Sequence, residues 1–360
     1  MKKFSTIILV ILFFFFVSWS YKLVCLTLLA ITWKQQIKEH LPYRLGYKAV
    51  IICLCALWLL VQPRYFYHSF SRVQLIYQDK KGNRVAPPLS HYLLNVALPE
   101  EEVMNMGVWA AKLGATFIPY VNGGTLLKQF QDDSNQGKIS NFYRPYRRLN
   151  GSFNFLMSGT TSQVFNTIGL GKTQSVYLIK PKNYDKDKKY PVVFFCHGGL
   201  GNWKLYQGIW KNLEDYIVLS VGTEDMSGIF GYHDMKALFT KQLPFLKKQG
   251  FKVDKTQLHI MGLSNGGTAV NVAYNKFSKR FKSITFISTG IHQTYPIRSK
   301  VVLIGGGKDG SSSSLPRAAR TFKKQGSPYA FYWDKEETHY ILVNQADDIC
   351  NRLKKEFKSN

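Results

Sequence analysis

The stretch Leu258-His259-Ile260-Met261-Gly262-Leu263-Ser264-Asn265-Gly266-Gly267 joins an apolar run to a segment of helical character, with a serine between two glycines at the junction. A serine at a sharp strand-to-helix turn is held in a strained backbone conformation, and a Cβ two positions before or after it would strike the adjoining strand or helix. Gly262 and Gly266 carry no Cβ, and Gly267 lets the new helix lie close to the sheet. A glycine-rich connection without chemistry satisfies the same pattern, so the reading turns on what surrounds it.

From residue 174 onward, short β-rich runs alternate with segments of helical periodicity. Strands are expected at 175–180, 191–196, 216–221, 258–261, 283–288, 300–304 and 329–333, and helices at 203–213, 234–249, 265–277, 315–325 and 340–357. Val192, Val193, Phe194 and Phe195 are apolar on both faces, as buried parallel strands covered by helices are. The alternation predicts an α/β fold with a predominantly parallel sheet, whose functional groups gather at the carboxyl ends of the strands. Three such ends stand out: His197-Gly198-Gly199-Leu200-Gly201, the glycine loop holding Asp309, and the segment that ends in His339.

The order Ser264, Asp309, His339 is the chain order used by hydrolases with this elbow. A serine hydroxyl is too weakly acidic to attack an acyl carbon unaided. His339 would take its proton and later deliver it to the leaving group, and Asp309 would fix the imidazole tautomer. Main-chain N–H groups of the loop 197–201 and of Asn265 would form the oxyanion hole, each donor worth roughly 3 kcal/mol. Taken singly, a histidine before a helix is a cap and an aspartate in a glycine loop a turn former; their joint placement carries the reading. His197 reads as support for its loop. Glu224, Asp225 and His233 are rivals that follow an earlier strand and would break the usual order.

Tyr177-Leu178-Ile179-Lys180-Pro181, with Tyr184 and Lys189-Tyr190-Pro191 leading into His197-Gly198-Gly199, together with residues 262–267, resembles the α/β-hydrolase superfamily. Within it the pattern is similar to the polyhydroxybutyrate depolymerase and feruloyl esterase group, and prolyl oligopeptidase-like peptidases share the architecture. The resemblance covers residues 177–355, about half of the chain. It implies the triad Ser264, Asp309 and His339, an oxyanion region at Gly199, Leu200 and Asn265, and hydrolysis of a carboxylic ester through an acyl-enzyme with no metal or cofactor. Asn265 after the serine fits the esterase side better than the peptidase side, where an aromatic commonly stands. Two other readings stay open: a serine peptidase, and a catalytically silent membrane-bound binding protein that works through the basic, aromatic segment 141–150.

Residues before 174 have no counterpart in that pattern. At 360 residues, with 45% hydrophobic and 15% aromatic, the chain can hold one large domain and an appendage. Lys2 and Lys3 precede an apolar run over 4–21, which resumes over 23–33 after Lys22. Roughly 18 apolar residues suffice to cross a bilayer, which predicts N-terminal transmembrane helices. A cleavable signal peptide fits less well, because the apolar stretch is too long and lacks a small-x-small site. A second, shorter run occupies 49–61. The expected division is a membrane anchor of one or two spans over 1–63, a membrane-proximal region over 64–173 and a hydrolase domain over 174–360.

The net charge of +26 is spread along the chain without five consecutive basic residues, and no nucleic-acid motif appears. Anionic lipid is therefore the expected partner beside a small-molecule or peptide acyl substrate, and nucleic acid is not. If both apolar runs span, Lys2, Lys3, Arg64, Arg72, Lys80, Lys81 and Arg84 on one side outnumber Lys34, Lys38, Arg44 and Lys48 on the other. That balance inclines the catalytic part to the cytoplasmic face of a bacterial-type inner membrane, and a single span would turn it outward. Of five cysteines, Cys25, Cys53 and Cys55 fall in the apolar N-terminal region, leaving Cys196 and Cys350, which is no disulfide framework.

In the middle of the chain, Pro99-Glu100-Glu101-Glu102 is a helix start, with the helix reaching Gly114. Segment 169–173 has the look of a phosphate-loop end but lacks its first glycine and its helix, and reads as a hairpin turn. Segment 141–150 reads as a solvated edge or a site for an anionic headgroup.

Overall fold

A computed structural model of the chain describes residues 2–15, 19–33, 72–117, 124–138, 140–149, 158–171 and 173–359. The apolar run 49–61, the basic residues Lys34, Lys38, Arg44, Lys48 and Arg64, and Cys53 and Cys55 lie outside them.

One nine-stranded sheet organises the molecule. Its strands are β1 (Val73–Gln78), β2 (Arg84–Val85), β3 (Gln174–Ile179), β4 (Lys189–Cys196), β5 (Ile217–Val221), β6 (Lys252–Leu263), β7 (Ser283–Ile287), β8 (Lys300–Gly306) and β9 (Tyr329–Asp334), in the order β2-β1-β3-β5-β4-β6-β7-β8-β9. From β5 to β9 all neighbours are parallel, whereas β3, β1 and β2 add on antiparallel. Two apolar cores cover the two faces, which is why Phe194 and Phe195, adjacent on β4 and pointing to opposite sides, are both fully buried.

Every strand expected from the sequence is present. The one large difference is β6, which starts six residues early because its polar stretch from Lys252 continues the pairing with β4 past an irregularity between Tyr190 and Val192. Charged residues on a protruding strand end give no apolar signal. The sheet also does not begin at 174, since β1 pairs with β3 along its whole length, Val73 opposite Ile179 and Gln78 opposite Gln174.

The helices, in chain order, begin with α1 (Lys2–Phe15) and α2 (Trp19–Thr32). The run expected to form a single span is thus divided between two helices of 14 residues, folded back so that Trp33 Nε1 donates to Thr6 Oγ1 at 2.7 Å. Fourteen residues rise ~21 Å, short of the roughly 30 Å of a hydrocarbon core. Among the described residues no helix is long and apolar enough to cross a membrane. Counting apolar residues along a run cannot tell one straight helix from two.

Five helices then precede the main sheet: α3 (Leu89–Ala97), α4 (Glu100–Phe117), α5 (Gly124–Asn135), α6 (Ser140–Leu149) and α7 (Gly159–Thr167). Helix α4 starts behind Pro99 with three glutamates in its first turn, as expected, and runs three residues past Gly114. Helix α6 buries Phe142, Pro145, Tyr146 and Leu149, while Arg148 pairs with Asp347 at 2.6 Å, so residues 141–149 form a packed amphipathic helix. The element before residue 169 is helix α7, not a strand, so the expected hairpin turn has no first strand.

Within the sheet region α8 (Lys204–Trp210) lies on the α5 and α6 side. Helices α9 (Tyr232–Ala237) and α10 (Leu243–Lys248), joined by a π-helical turn over Leu238–Gln242, lie on the other side with α11 (Gly267–Phe277) and α12 (Leu315–Gln325). The short α13 (Ile341–Asn344) and the final α14 (Ala346–Lys358) return to the α8 face.

Candidate active site

Strand β6 delivers Ser264 into a 3-10 turn that opens α11, with Ser264 at φ +52°, a left-handed conformation that L side chains rarely adopt. The flanking glycines are required by contact. A Cβ on Gly262 would stand 2.2 Å from the carbonyl oxygen of Gly266, and one on Gly266 would stand 2.2 Å from that of Cys196. The loop after β4 lies directly against the serine, since a Cβ on Gly198 would be 3.1 Å from Ser264 Cβ. Leu200 in that loop is held at φ +69°. Among the described residues nothing accepts from the main-chain N–H of Gly199 or Leu200. Asn265 anchors its side chain by donating from Nδ2 to Ser227 O at 2.8 Å.

Asp309 and His339 come from the ends of β8 and β9 and meet with His339 Nδ1 3.0 Å from Asp309 Oδ1. The carboxylate accepts, so the proton sits on Nδ1 and the lone pair of Nε2 is free. Asp309 also accepts from Ser312 Oγ at 2.6 Å and Ser311 N at 3.0 Å. Burial pushes its carboxyl up, but the hydrogen bond and charge of His339 and the two serine donors outweigh this and hold it below the ordinary range. Ser264 and His339 line one cavity. No hydrogen bond joins them in this state, as is common before substrate tightens the geometry. The rivals stand elsewhere: Glu224 and His233 are exposed, and Asp225 closes a turn on Ser227 N at 2.9 Å.

His197 is fully buried and structural, as expected. Its Nδ1 donates to Gly198 O at 2.6 Å, and its Nε2 accepts from Thr223 N at 3.1 Å and from Gln163 Nε2 at 2.8 Å. Burial holds the ring neutral, with its pKa lowered to about 4.

The residues that the sequence did not single out come from the helices before the sheet. Gln129 on α5 bridges the loops that carry Asp309 and His339: its Nε2 donates to Lys308 O at 3.0 Å and its Oε1 accepts from His339 N at 2.8 Å. One turn on, the fully buried Asp133 accepts from Thr338 Oγ1 at 2.7 Å and Asn344 Nδ2 at 2.9 Å. Gln163 on α7 holds the glycine loop, its Oε1 accepting from Asn202 N at 2.7 Å. Ser288, at φ +48° after β7, donates to His339 O at 2.9 Å. Buried glutamines in a sequence carry no spacing signal, so only their partners show what they hold.

These helices roof a cavity of about 820 Å³ over Ser264. Its walls are mainly apolar, with Leu94, Leu98, Met104, Leu126 and Val164 from the roof and Trp203, Tyr206 and Leu263 from below. Phe130, Phe142 and Tyr340, beside His339, pack edge to face at 4.9 to 5.4 Å between centroids.

No family model matches the chain. It is 27% identical over 128 residues to dipeptidyl-peptidase 5 of Porphyromonas gingivalis, a stretch covering 31% of this chain and 18% of the relative. Over 104 residues it is 33% identical to a probable dipeptidyl-aminopeptidase B of Arthroderma benhamiae, covering 24% of this chain and 11% of the relative. The matched stretches therefore span less than a fifth of these curated relatives. Similar solved structures include a putative dipeptidyl aminopeptidase IV from Bacteroides ovatus (TM-score 0.42, 16% identity, 52% of this chain and 33% of that one). A ferulic acid esterase from Anaeromyces mucronatus (TM-score 0.39, 15% identity, 52% and 86%) and an S-formylglutathione hydrolase from Agrobacterium tumefaciens (TM-score 0.39, 15% identity, 52% and 90%) are similar as well. The strand order with its β5-β4 crossover, the parallel sheet covered on both faces, and the serine elbow between β6 and α11 together establish that the chain has the α/β-hydrolase fold.

Proposed function

We propose that the chain is a serine hydrolase that cleaves carboxylic esters through an acyl-enzyme and is held at a membrane by its N-terminal apolar helices. The observation that carries the reading is a strained Ser264 sharing one apolar cavity with the His339–Asp309 pair. His339 Nε2 takes the hydroxyl proton as Ser264 Oγ bonds the acyl carbon. The oxyanion then faces the N–H groups of Gly199, Leu200 and Asn265. Collapse breaks the ester C–O bond, and the alkoxide leaves with the proton from His339. Water, deprotonated by the same imidazole, releases the acid and restores Ser264. No step calls for a metal or cofactor.

A peptidase reading is favoured by the names of the two curated relatives. Against the release of amino-terminal dipeptides stands Glu100, the one acidic side chain among the described cavity-lining residues. Both of its oxygens are already taken, by Tyr146 OH at 2.8 Å, Leu205 N at 3.2 Å, Lys204 N at 2.9 Å and Ser158 Oγ, so it is not available to a substrate ammonium. Membrane attachment is supported by Ile7, Ile11, Leu28 and Ile31, which α1 and α2 leave exposed, and by the net charge of +26. Two apolar helices lying against each other favour a hairpin seated in one leaflet, and the net charge of +26 favours the cytoplasmic leaflet with its anionic lipid.

A panel of p-nitrophenyl esters set against aminoacyl and dipeptidyl p-nitroanilides tests the chemistry. Ester turnover that disappears in Ser264→Ala supports it, and turnover of the anilides alone transfers the assignment to a peptidase.

A further inference from the structure

We infer that the roofed cavity is an acyl-chain site, so that the substrate is a lipid ester whose long fatty-acyl chain lies under the roof with its carbonyl at Ser264. The inference rests on the serine-hydrolase reading above and deepens it. Two observations carry it. The first is size and chemistry: about 820 Å³ is near the upper end of the roughly 300–1,000 Å³ of small-molecule sites, yet the walls are apolar from Leu94, Leu98, Val103 and Met104 across to Leu126 and Phe130. A compact polar acyl group would leave most of that surface without a partner, whereas a methylene chain matches it.

The second is the mouth. Aliphatic side chains that line the cavity also reach solvent: Leu200 beside the serine is 68% exposed, Leu98 44%, Leu126 42% and Val103 38%. Exposed aliphatic residues ringing an apolar cavity suit a site filled from a lipid phase. In the reaction the fatty-acyl carbon bonds Ser264 Oγ, the lipid alcohol departs through the mouth with the proton from His339, and water frees the fatty acid.

The test uses the full-length protein in detergent micelles with p-nitrophenyl esters of 4 to 16 carbons, beside Gly107→Trp. Gly107 lines the cavity, and a Cβ there meets nothing within 4 Å, so a larger side chain enters open space without disturbing the fold, which a thermal melt verifies. The expected result is a kcat/KM that climbs with chain length, by up to about fourfold per buried methylene, and a dodecanoyl-to-butanoyl ratio at least about tenfold lower in Gly107→Trp. A profile that is flat or falling from butanoyl to dodecanoyl, with butanoyl ester turned over well, overturns the acyl-chain site and leaves the serine hydrolase standing. So does a normally folded Gly107→Trp with an unchanged ratio. Absence of any turnover, with no fluorophosphonate labelling of Ser264, removes both.

Discussion

Replacing Gln129 by alanine tests whether the helices before the sheet are part of the catalytic apparatus. The side chain is 7% exposed and touches the acid loop and the base loop at once, through Lys308 O at 3.0 Å and His339 N at 2.8 Å. Alanine removes two hydrogen bonds worth about 1 kcal/mol each and leaves a buried N–H of His339 without a partner, a further cost of about 1–3 kcal/mol that the loop relieves by moving. A displacement of about 1 Å in a catalytic base costs on the order of 10²-fold in rate. The expected outcome is a kcat lower by roughly 10- to 100-fold, a KM within about threefold of wild type, and a melting temperature several degrees lower. Gln129→Glu keeps the acceptor for His339 N–H and loses only the donor to Lys308 O, so it should fall between the two. Lys128→Ala, exposed on the same helix, should match wild type. Steady-state kinetics on one ester with thermal unfolding of each variant decide the matter, and a Gln129→Ala enzyme with kcat within twofold of wild type refutes the positioning role.

Gly266→Ala would put a Cβ 2.2 Å from Cys196 O and 2.6 Å from His197 O, both backbone atoms, so the elbow and the glycine loop must separate. A loss of about 1–3 kcal/mol and more than about 10²-fold in activity is expected, whereas Gly231→Ala, whose Cβ meets only Asp234 Oδ2 at 3.7 Å, should be neutral by the same melts and assays. Asp309→Asn should lower kcat by roughly 10⁴-fold with little change in KM, because the amide no longer fixes the Nδ1–H tautomer; kinetics within tenfold of wild type would remove Asp309 from the mechanism. Acidification should destabilise the fold through His197 and His259, which burial holds down to about 4 and about 3 from the ordinary 6.5. Below pH 6.5 the unfolded chain binds protons that the folded chain does not, so stability falls as pH falls, by roughly 2 kcal/mol per ring between pH 7 and 5. Urea midpoints at the two pH values measure it, and equal midpoints would show that these rings titrate freely.

The elbow, the parallel strands and the three strand ends were legible because each writes a local pattern: glycines where a Cβ cannot fit, apolar runs buried on both faces, chemistry-bearing residues just past a strand. Strand β1 was not, since Val-Gln-Leu-Ile-Tyr-Gln stands nearly a hundred residues before its main partner β3. The roof was missed for the same reason. Its helices are read correctly only where a local signal exists, as at Pro99 and the three glutamates, and their task is set by long-range contacts such as Gln129 with His339 and Gln163 with Asn202. At the apolar N-terminus hydrophobic length adds along the chain and does not show that α1 and α2 lie side by side, Trp33 against Thr6.

The central claim is that Ser264 is the nucleophile. Fluorophosphonate labelling of the purified protein, with the modified peptide located by mass spectrometry, tests it most directly. The account predicts a single adduct on Ser264 that is absent in Ser264→Ala; equal labelling of both proteins, or of neither, contradicts it.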